Sequence, residues 1–303
     1  MKLNDILNGL ETVSITGDLN IDITNIAYDS RKVTENTLFI CIKGFNSDGH
    51  KYIESAIEKG AKAFLVQEDI NIEGYTFIKV EDTRASMAKV ASNFYNTPSN
   101  DLGVIGVTGT NGKTSITTFL SEILSLNEKK VGLVGTIKIF DGNEEVESSS
   151  TTPESADLQK HFRTMVDNGC DYCAMEVSSH SLVLNRVDST EFKLGLFTNL
   201  TPDHLDFHTD LEDYRNAKEK LFYKTTVANI INIDDNGGAK IYENIKIDAR
   251  GVSYTLVTPT YEEEIFIGVP GKFTVYNTLA VIAACYGHPD GGRSCFPGRT
   301  DLR

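Results

Sequence analysis

Residues 104–115 read Val-Ile-Gly-Val-Thr-Gly-Thr-Asn-Gly-Lys-Thr-Ser, an apolar strand running directly into a glycine-rich turn that ends in Gly-Lys-Thr. This stretch restricts the fold more than any other. The strand must be buried, the turn must fold back on itself, and a helix must begin where the turn ends. Ile116, Phe119, Leu120, Ile123 and Leu124 carry that helix, and a second apolar strand follows at 131–135. Such a unit cradles nucleotide phosphates. The glycines let backbone N–H groups approach an anion, Lys113 adds a point charge, and Thr114 offers a hydroxyl to Mg²⁺. The general pattern has a glycine where Val107 stands, so the form here is the narrower Thr-Gly-Thr-Asn-Gly-Lys-Thr.

From residue 102 the apolar pattern alternates strand and helix, with strands expected at 104–108, 131–135, 172–177, 194–199 and 229–234. That order predicts a mostly parallel sheet flanked by helices. Residues 1–96 hold shorter elements, strands at 37–42, 63–67 and 76–80 and helices at 52–59 and 84–95. Thr97-Pro98-Ser99-Asn100 breaks the periodicity and reads as a linker. The expected fold class is α/β, with a small N-terminal α/β domain (1–97) and a central P-loop domain (98–286). An irregular tail (287–303), rich in Gly, Pro and Arg, follows.

The net charge of −14 argues against non-specific nucleic-acid binding, and it requires that an anionic nucleotide be attracted by local cations. No segment nears the ~20 apolar residues that cross a bilayer. Met-Lys-Leu-Asn-Asp lacks a signal peptide's apolar core, so the cytoplasm is the expected compartment. Five irregularly spaced cysteines form no disulfide framework. Cys170 and Cys173 make a lone CxxC, and Cys173 lies within an expected strand, so no metal or redox role is assigned to it.

Polar residues gather just beyond the expected strands, where ligands of parallel sheets bind. Glu176 closes the apolar run 172–177, a costly place for a carboxylate without a cation. A Mg²⁺ shared with Thr114 would supply one. After 194–199 come Asp203, His204, Asp206 and His208, which suit metal ligation, proton transfer, or plain capping and turn roles. Lys218, in the following helix, reads by itself as a solvated lysine.

Tyr28-Asp29-Ser30-Arg31, Asp48-Gly49-His50, the loop 108–114, Ser150-Thr151-Thr152-Pro153-Glu154, 176–180, 198–208 and Ala217-Lys218 occur in this order. Together they resemble the Mur ligases of peptidoglycan synthesis, over residues 20–286. The resemblance implies ATP-dependent amide formation through an acyl phosphate. The reaction would add a third amino acid, L-lysine or meso-diaminopimelate, to UDP-N-acetylmuramoyl-L-alanyl-D-glutamate. Tyr28, Ser30, Phe45, Asn46 and Ser47 would hold the uridine diphosphate end. Ser150, Thr151, Thr152, Ser178 and Arg186 would hold the muramoyl dipeptide. ATP would contact Gly109, Thr110, Asn111, Gly112, Lys113, Thr114, Ser115 and Asn277. Lys113, His204 and Lys218 would be catalytic. Thr114, Glu176, His204 and Lys218 would hold two Mg²⁺ ions, Lys218 after CO₂ has converted it to a carbamate. The implied partners are the UDP-muramoyl dipeptide and an amino acid, with no nucleic acid, no membrane and a monomeric chain.

Some features depart from the family pattern. Leu184 stands where glutamine is common, the segment 241–271 is short, with 244–251 resembling a junction, and residues 287–303 occupy the place of a third domain. A non-catalytic remnant that binds UDP-muramoyl dipeptide and nucleotide is therefore the competing expectation. A small-molecule kinase, transferring phosphate to a hydroxyl, is a third.

Overall fold

A computed structural model describes residues 1–44, 47–203, 206–232, 242–257, 262–287 and 301–302. Its contacts divide into two units. The first is Met1–Asp101 with Pro153–Asp167 and His180–Thr190; the second is Leu102–Thr152, Asn168–Ser179 and Glu191–Arg303. The helices are α1 (Leu3–Ile6), α2 (Ile53–Glu58), α3 (Thr83–Phe94), α4 (Lys113–Leu126), α5 (Ser155–Asp167), α6 (Ser179–Val183), α7 (Leu211–Glu219) and α8 (Lys272–Gly287).

In the first unit, β1 (Ser14–Thr16), β2 (Asn25–Ala27), β3 (Thr37–Ile40), β4 (Ala61–Val66) and β5 (Thr76–Lys79) form one sheet in the order β1-β5-β4-β3-β2. Only β1 runs antiparallel to its neighbour. Successive residues of the central strands point to opposite faces. Leu38, Ile40, Ala63 and Leu65 join a core with Leu3, Ile6, Met87, Val90 and Ala156, from α1, α3 and α5. Phe39, Cys41, Phe64 and Val66 meet Ile53 and Ala56 of α2 on the other side. Both faces are buried, which is why these strands read as unbroken apolar runs. Asp82 caps α3, its carboxylate accepting from the N–H groups of Arg84 and Ala85.

The second unit is built on β6 (Gly103–Thr108), β7 (Val131–Val134), β8 (Lys138–Phe140), β9 (Glu145–Glu147), β10 (Tyr172–Glu176), β11 (Phe192–Phe197) and β12 (Thr225–Ile231). Their order is β12-β11-β6-β10-β7-β8-β9. The first five in that order are mutually parallel, and β8 and β9 extend the sheet antiparallel. Strand β6 therefore lies between β10 and β11, and the turn after it is flanked by the turns that follow both.

Close packing around β6 is tested by Gly106. A Cβ there would stand 2.7 Å from the Phe192 ring and 3.1 Å from Leu221. Gly106→Ala is expected to destabilise the protein by about 1–3 kcal/mol through overpacking, read as a lower urea midpoint. An unchanged midpoint would contradict this packing.

The last expected strand, 229–234, differs. It begins at Thr225 and is described only to Ile231 before residues 233–241 fall outside the described chain. At the sheet edge it needs no continuous apolar run, so its polar Thr-Thr start did not extend the apolar signal. A further sheet, β13 (Tyr242–Asp248), β14 (Gly251–Val257), β15 (Glu262–Ile267) and β16 (Asp301–Leu302), had no counterpart in the sequence reading. The stretch read as a junction is a β13–β14 hairpin, and two residues of the expected irregular tail pair parallel with Phe266 and Ile267. Helix α8 is apolar around its circumference because it is covered on two sides. Val275, Leu279 and Ile282 pack on β14 and β15, while Val281, Ala284 and Cys285 pack with α4 and the central sheet.

No helix among the described residues is long and apolar enough to cross a membrane. Cys41, Cys170, Cys173 and Cys285 are buried and none forms a disulfide.

Candidate functional site

The turn after β6 has the left-handed backbone that its glycines permit. Gly109 has φ 142° and Gly112 has φ 89°. At Gly109 a Cβ would fall 1.9 Å from Thr198 Oγ1, so no side chain fits there. Residues beyond β11 brace the turn. The N–H groups of Thr110 and Asn111 donate to the Asn199 carbonyl (2.9 Å) and to Asn199 Oδ1 (3.0 Å). Thr198 Oγ1 and Asn199 Nδ2 donate to the Asn111 carbonyl at 2.6 and 3.1 Å. The first turn of α4, which includes Thr114 and Ser115, adds N–H groups that an anion could accept. An α-helix leaves these without internal acceptors, and Gly112 brings no capping side chain.

Lys113 and Lys218 converge on one atom. Lys113 Nζ donates to the carbonyls of Gly109 (3.0 Å) and Thr110 (2.9 Å). Lys218 Nζ donates to the same Gly109 carbonyl at 2.9 Å and lies 4.3 Å above the Tyr214 ring. Lys218 is 1% exposed, the reverse of a solvated helix lysine. Its pKa is pushed down to about 7, first by burial and then by the Lys113 charge, with Asp203 opposing. Burial also lowers the Lys113 pKa, against the pull of Glu176 and Asp203.

Glu176, 1% exposed at the end of β10, is surrounded by hydrogen-bond donors. Thr114 Oγ1 donates to Oε1 at 3.0 Å, the Thr136 N–H donates to Oε1 at 2.9 Å, and Thr136 Oγ1 donates to Oε2 at 3.1 Å. These donors offset the desolvation of the carboxylate. A Cβ at Gly135 would meet Oε1 at 2.6 Å. The carboxylate and the Thr114 hydroxyl are an all-oxygen pair of the kind Mg²⁺ takes, so the residues fit that ion. Thr136 Oγ1 also reaches Thr151 Oγ1 (3.1 Å). Thr152 Oγ1 donates to the Glu176 carbonyl (2.8 Å) and accepts from the Ser178 N–H (3.2 Å). Ser150 Oγ donates to the Thr152 carbonyl. Asn277 is 6% exposed, and a Cβ on Gly112 would touch its Oδ1 at 2.6 Å, which places it against the turn.

The first unit holds Tyr28, Ser30, Ser47 and Arg186. The Tyr28 hydroxyl donates to Asp157, and burial followed by that carboxylate raises its pKa. Arg84 Nη1 donates to both Glu154 oxygens at 2.7 Å, and Arg186 Nη2 pairs with Oε1 at 2.9 Å. The Arg186 fork is thus oriented by a carboxylate already shared with Arg84. Ser30 opens a short 3₁₀ turn capped by Asp29, and Ser47 Oγ contacts Tyr52 Oη at 3.2 Å. Phe45, Asn46 and His204 lie outside the described residues.

Asp48, His50 and Glu68 also bring possible metal-ligating atoms within 4.8 Å of one another. They do not suit a cation. His50 Nε2 accepts from the Gln67 N–H at 3.0 Å, leaving the Nδ1 proton to the Asp48 carboxylate at 2.6 Å, while Lys43 pairs with Glu68 at 2.8 Å.

Sequence reasoning missed Thr136, Asn199, Tyr214 and Arg84. Thr136 lies just past the end of β7 and Asn199 just past the end of β11, the one local signal that could have marked them.

Residues 22–100 match the Mur ligase family catalytic domain, and residues 107–248 match the Mur ligase middle domain. The UDP-N-acetylmuramoyl-L-alanyl-D-glutamate–2,6-diaminopimelate ligase of Clostridioides difficile (strain 630) is 70% identical over 94% of this chain and 64% of its own length. The ligase of the same name from Alkaliphilus metalliredigens (strain QYMF) is 51% identical over 93% of this chain and 62% of its own. The chain therefore spans under two thirds of the length of these relatives. A solved structure of a ligase of that name superposes with a TM-score of 0.81 at 21% identity, covering 97% of this chain and 65% of the other. MurF ligase from Thermotoga maritima in complex with ADP gives 0.59 at 18%, covering 86% and 62%. With both domain models matched and 70% identity to a relative across 94% of its residues, the chain belongs to the Mur ligase family.

Proposed function

We propose that this chain carries the nucleotide-binding and UDP-muramoyl-dipeptide-binding parts of an ATP-dependent amide ligase of the MurE type. The enzyme would add L-lysine or meso-diaminopimelate to UDP-N-acetylmuramoyl-L-alanyl-D-glutamate, working in the cytoplasm as a monomer. The observation that carries this reading is the meeting of two ammonium groups at the Gly109 carbonyl, in a turn whose next helix presents Thr114 to a buried Glu176. The reaction brings a carboxylate to a triphosphate, so its central difficulty is repulsion between anions.

Lys113 would exchange the Gly109 and Thr110 carbonyls for phosphate oxygens while the first turn of α4 donates its N–H groups. Asn277, against Gly112, would meet the adenosine end. Thr114 and Glu176 would hold one Mg²⁺, and His204 with the Lys218 carbamate a second; bound Mg²⁺ supplies the positive charge that screens the reacting anions. An amine that titrates near neutral pH has the lone pair that CO₂ requires. Its nitrogen would bond to the carbon and lose a proton to water, leaving an anionic oxygen ligand. Ser150, Thr151, Thr152, Ser178 and Arg186 would hold the muramoyl dipeptide, and Tyr28, Ser30, Phe45, Asn46 and Ser47 the uridine diphosphate end.

Isothermal titration with UDP-N-acetylmuramoyl-L-alanyl-D-glutamate is expected to show saturable binding. Arg186→Ala should weaken it about tenfold or more, the effect of losing a charge-assisted contact. A titration without binding heat at several temperatures would overturn the assignment.

A further inference from the structure

Ser179, His208 and Asp213 show the hydrogen-bond order of a hydrolase triad. Ser179 Oγ lies 2.9 Å from His208 Nε2, and His208 Nδ1 lies 3.2 Å from Asp213 Oδ2. Burial argues against a nucleophile, because Ser179 is 1% exposed and His208 2%, which leaves a substrate carbonyl no approach to Oγ. The same contacts serve another purpose. The Asp213 carboxylate sets the proton on Nδ1, and Nε2 then accepts from the Ser179 hydroxyl. Asp213 also accepts the Thr209 N–H at 3.2 Å, and its own N–H donates to Asp210 Oδ1 at 2.8 Å, closing the start of α7. His208 therefore ties the first turn of α7 to the residue that follows Glu176-Val177-Ser178.

Helix α7 needs such a tie. It is short, and its buried face is Tyr214, Ala217 and Lys218, so whatever holds the Tyr214 ring also bears on Lys218. The His208 ring packs on Tyr214 with centroids 5.0 Å apart. The Tyr214 ring lies beneath Lys218 Nζ, and its hydroxyl reaches Thr110 Oγ1 at 3.4 Å. A continuous path of contacts thus runs from the end of β10 through His208 and Tyr214 to Lys218.

We propose that His208 is a positioning residue that fixes the rotation of α7, and through it the place of Lys218 over the Tyr214 ring and at the Gly109 carbonyl. This deepens the reading of Lys218 as a member of the phosphate site. Its test is independent of that reading, because it needs neither nucleotide nor turnover.

Protons held over an aromatic face are displaced upfield, so the Lys218 ε-methylene resonance reports its position. In the full chain labelled with ¹³C-lysine, one ε-methylene signal is expected upfield of the rest, and Lys218→Arg should remove it. His208→Leu should return that signal to the common lysine position. His208→Asn, which keeps a donor for Asp213, should retain part of the displacement. Ser179→Ala removes one buried hydroxyl and decides the matter if His208→Leu does not fold; it should shift the signal in the same direction. No upfield signal in the unaltered chain would overturn the proposal. So would variants that melt at lower temperature with the Lys218 signal unmoved, the result of a purely structural role. Nucleotide titration of the same samples tests the phosphate-site reading separately.

Discussion

Lys113→Met is expected to lower the affinity for an Mg²⁺-bound, non-hydrolysable ATP analogue by about a hundredfold or more, while the chain still folds cooperatively. Charge-assisted hydrogen bonds contribute about 1.5–3 kcal/mol each, and an ammonium set among phosphate oxygens makes more than one. Folding tolerates the change because Lys113 is itself costly. Burial already pushes its pKa down, and its charge opposes that of Lys218. Methionine keeps the length of the side chain, and the Gly109 carbonyl keeps Lys218 as a donor. Calorimetric titration measures the loss. Equal affinities for variant and parent would remove Lys113 from the proposed phosphate site.

The second large effect belongs to Lys218, whose pKa is about 7 in the folded chain against 10.5 for a free lysine. Below the folded value both states hold the proton, and the folded state bears the full cost of a buried ammonium. Between the two values the unfolded chain binds a proton that the folded chain has released, so stability rises with pH; above the unfolded value it levels off. Lys218→Met removes this dependence. The variant should therefore be more stable than the parent by an amount greatest at low pH, of order 4 kcal/mol, and shrinking as pH rises. Urea denaturation of both proteins from about pH 6 to about pH 10 reads the difference directly. A gap that stayed constant across that range would mean that the Lys218 amine keeps an ordinary pKa.

Much of the second unit was legible because its signals are local. A strand with both faces covered is apolar throughout, and β6, β7, β10 and β11 fell within a few residues of expectation. Strands that border solvent or a small hairpin lack that signature, which is why β8, β9, β12 and the β13–β16 sheet were unread or misplaced. Glu176 stood out as a carboxylate ending an apolar run. Thr136, whose N–H and Oγ1 donate to it alongside Thr114 Oγ1, carried no comparable signal. Arg84 was invisible for a different reason. At the start of an amphipathic helix it resembles any solvated arginine until Glu154, from a distant segment, closes on it.

What the residues determined unaided is the glycine-rich turn and the parallel sheet that delivers it. Glycines at 109 and 112, a buried strand before them and an amphipathic helix after them act over neighbouring positions, where sterics and hydrophobic periodicity are enough. Only the tertiary structure decided that Lys218 belongs to that turn, since it and Gly109 are 109 positions apart. No local rule buries a helix lysine. It happens because β11 and α7 place Lys218 within reach of Lys113, where burial and like charge, both products of packing, change what its amine can do.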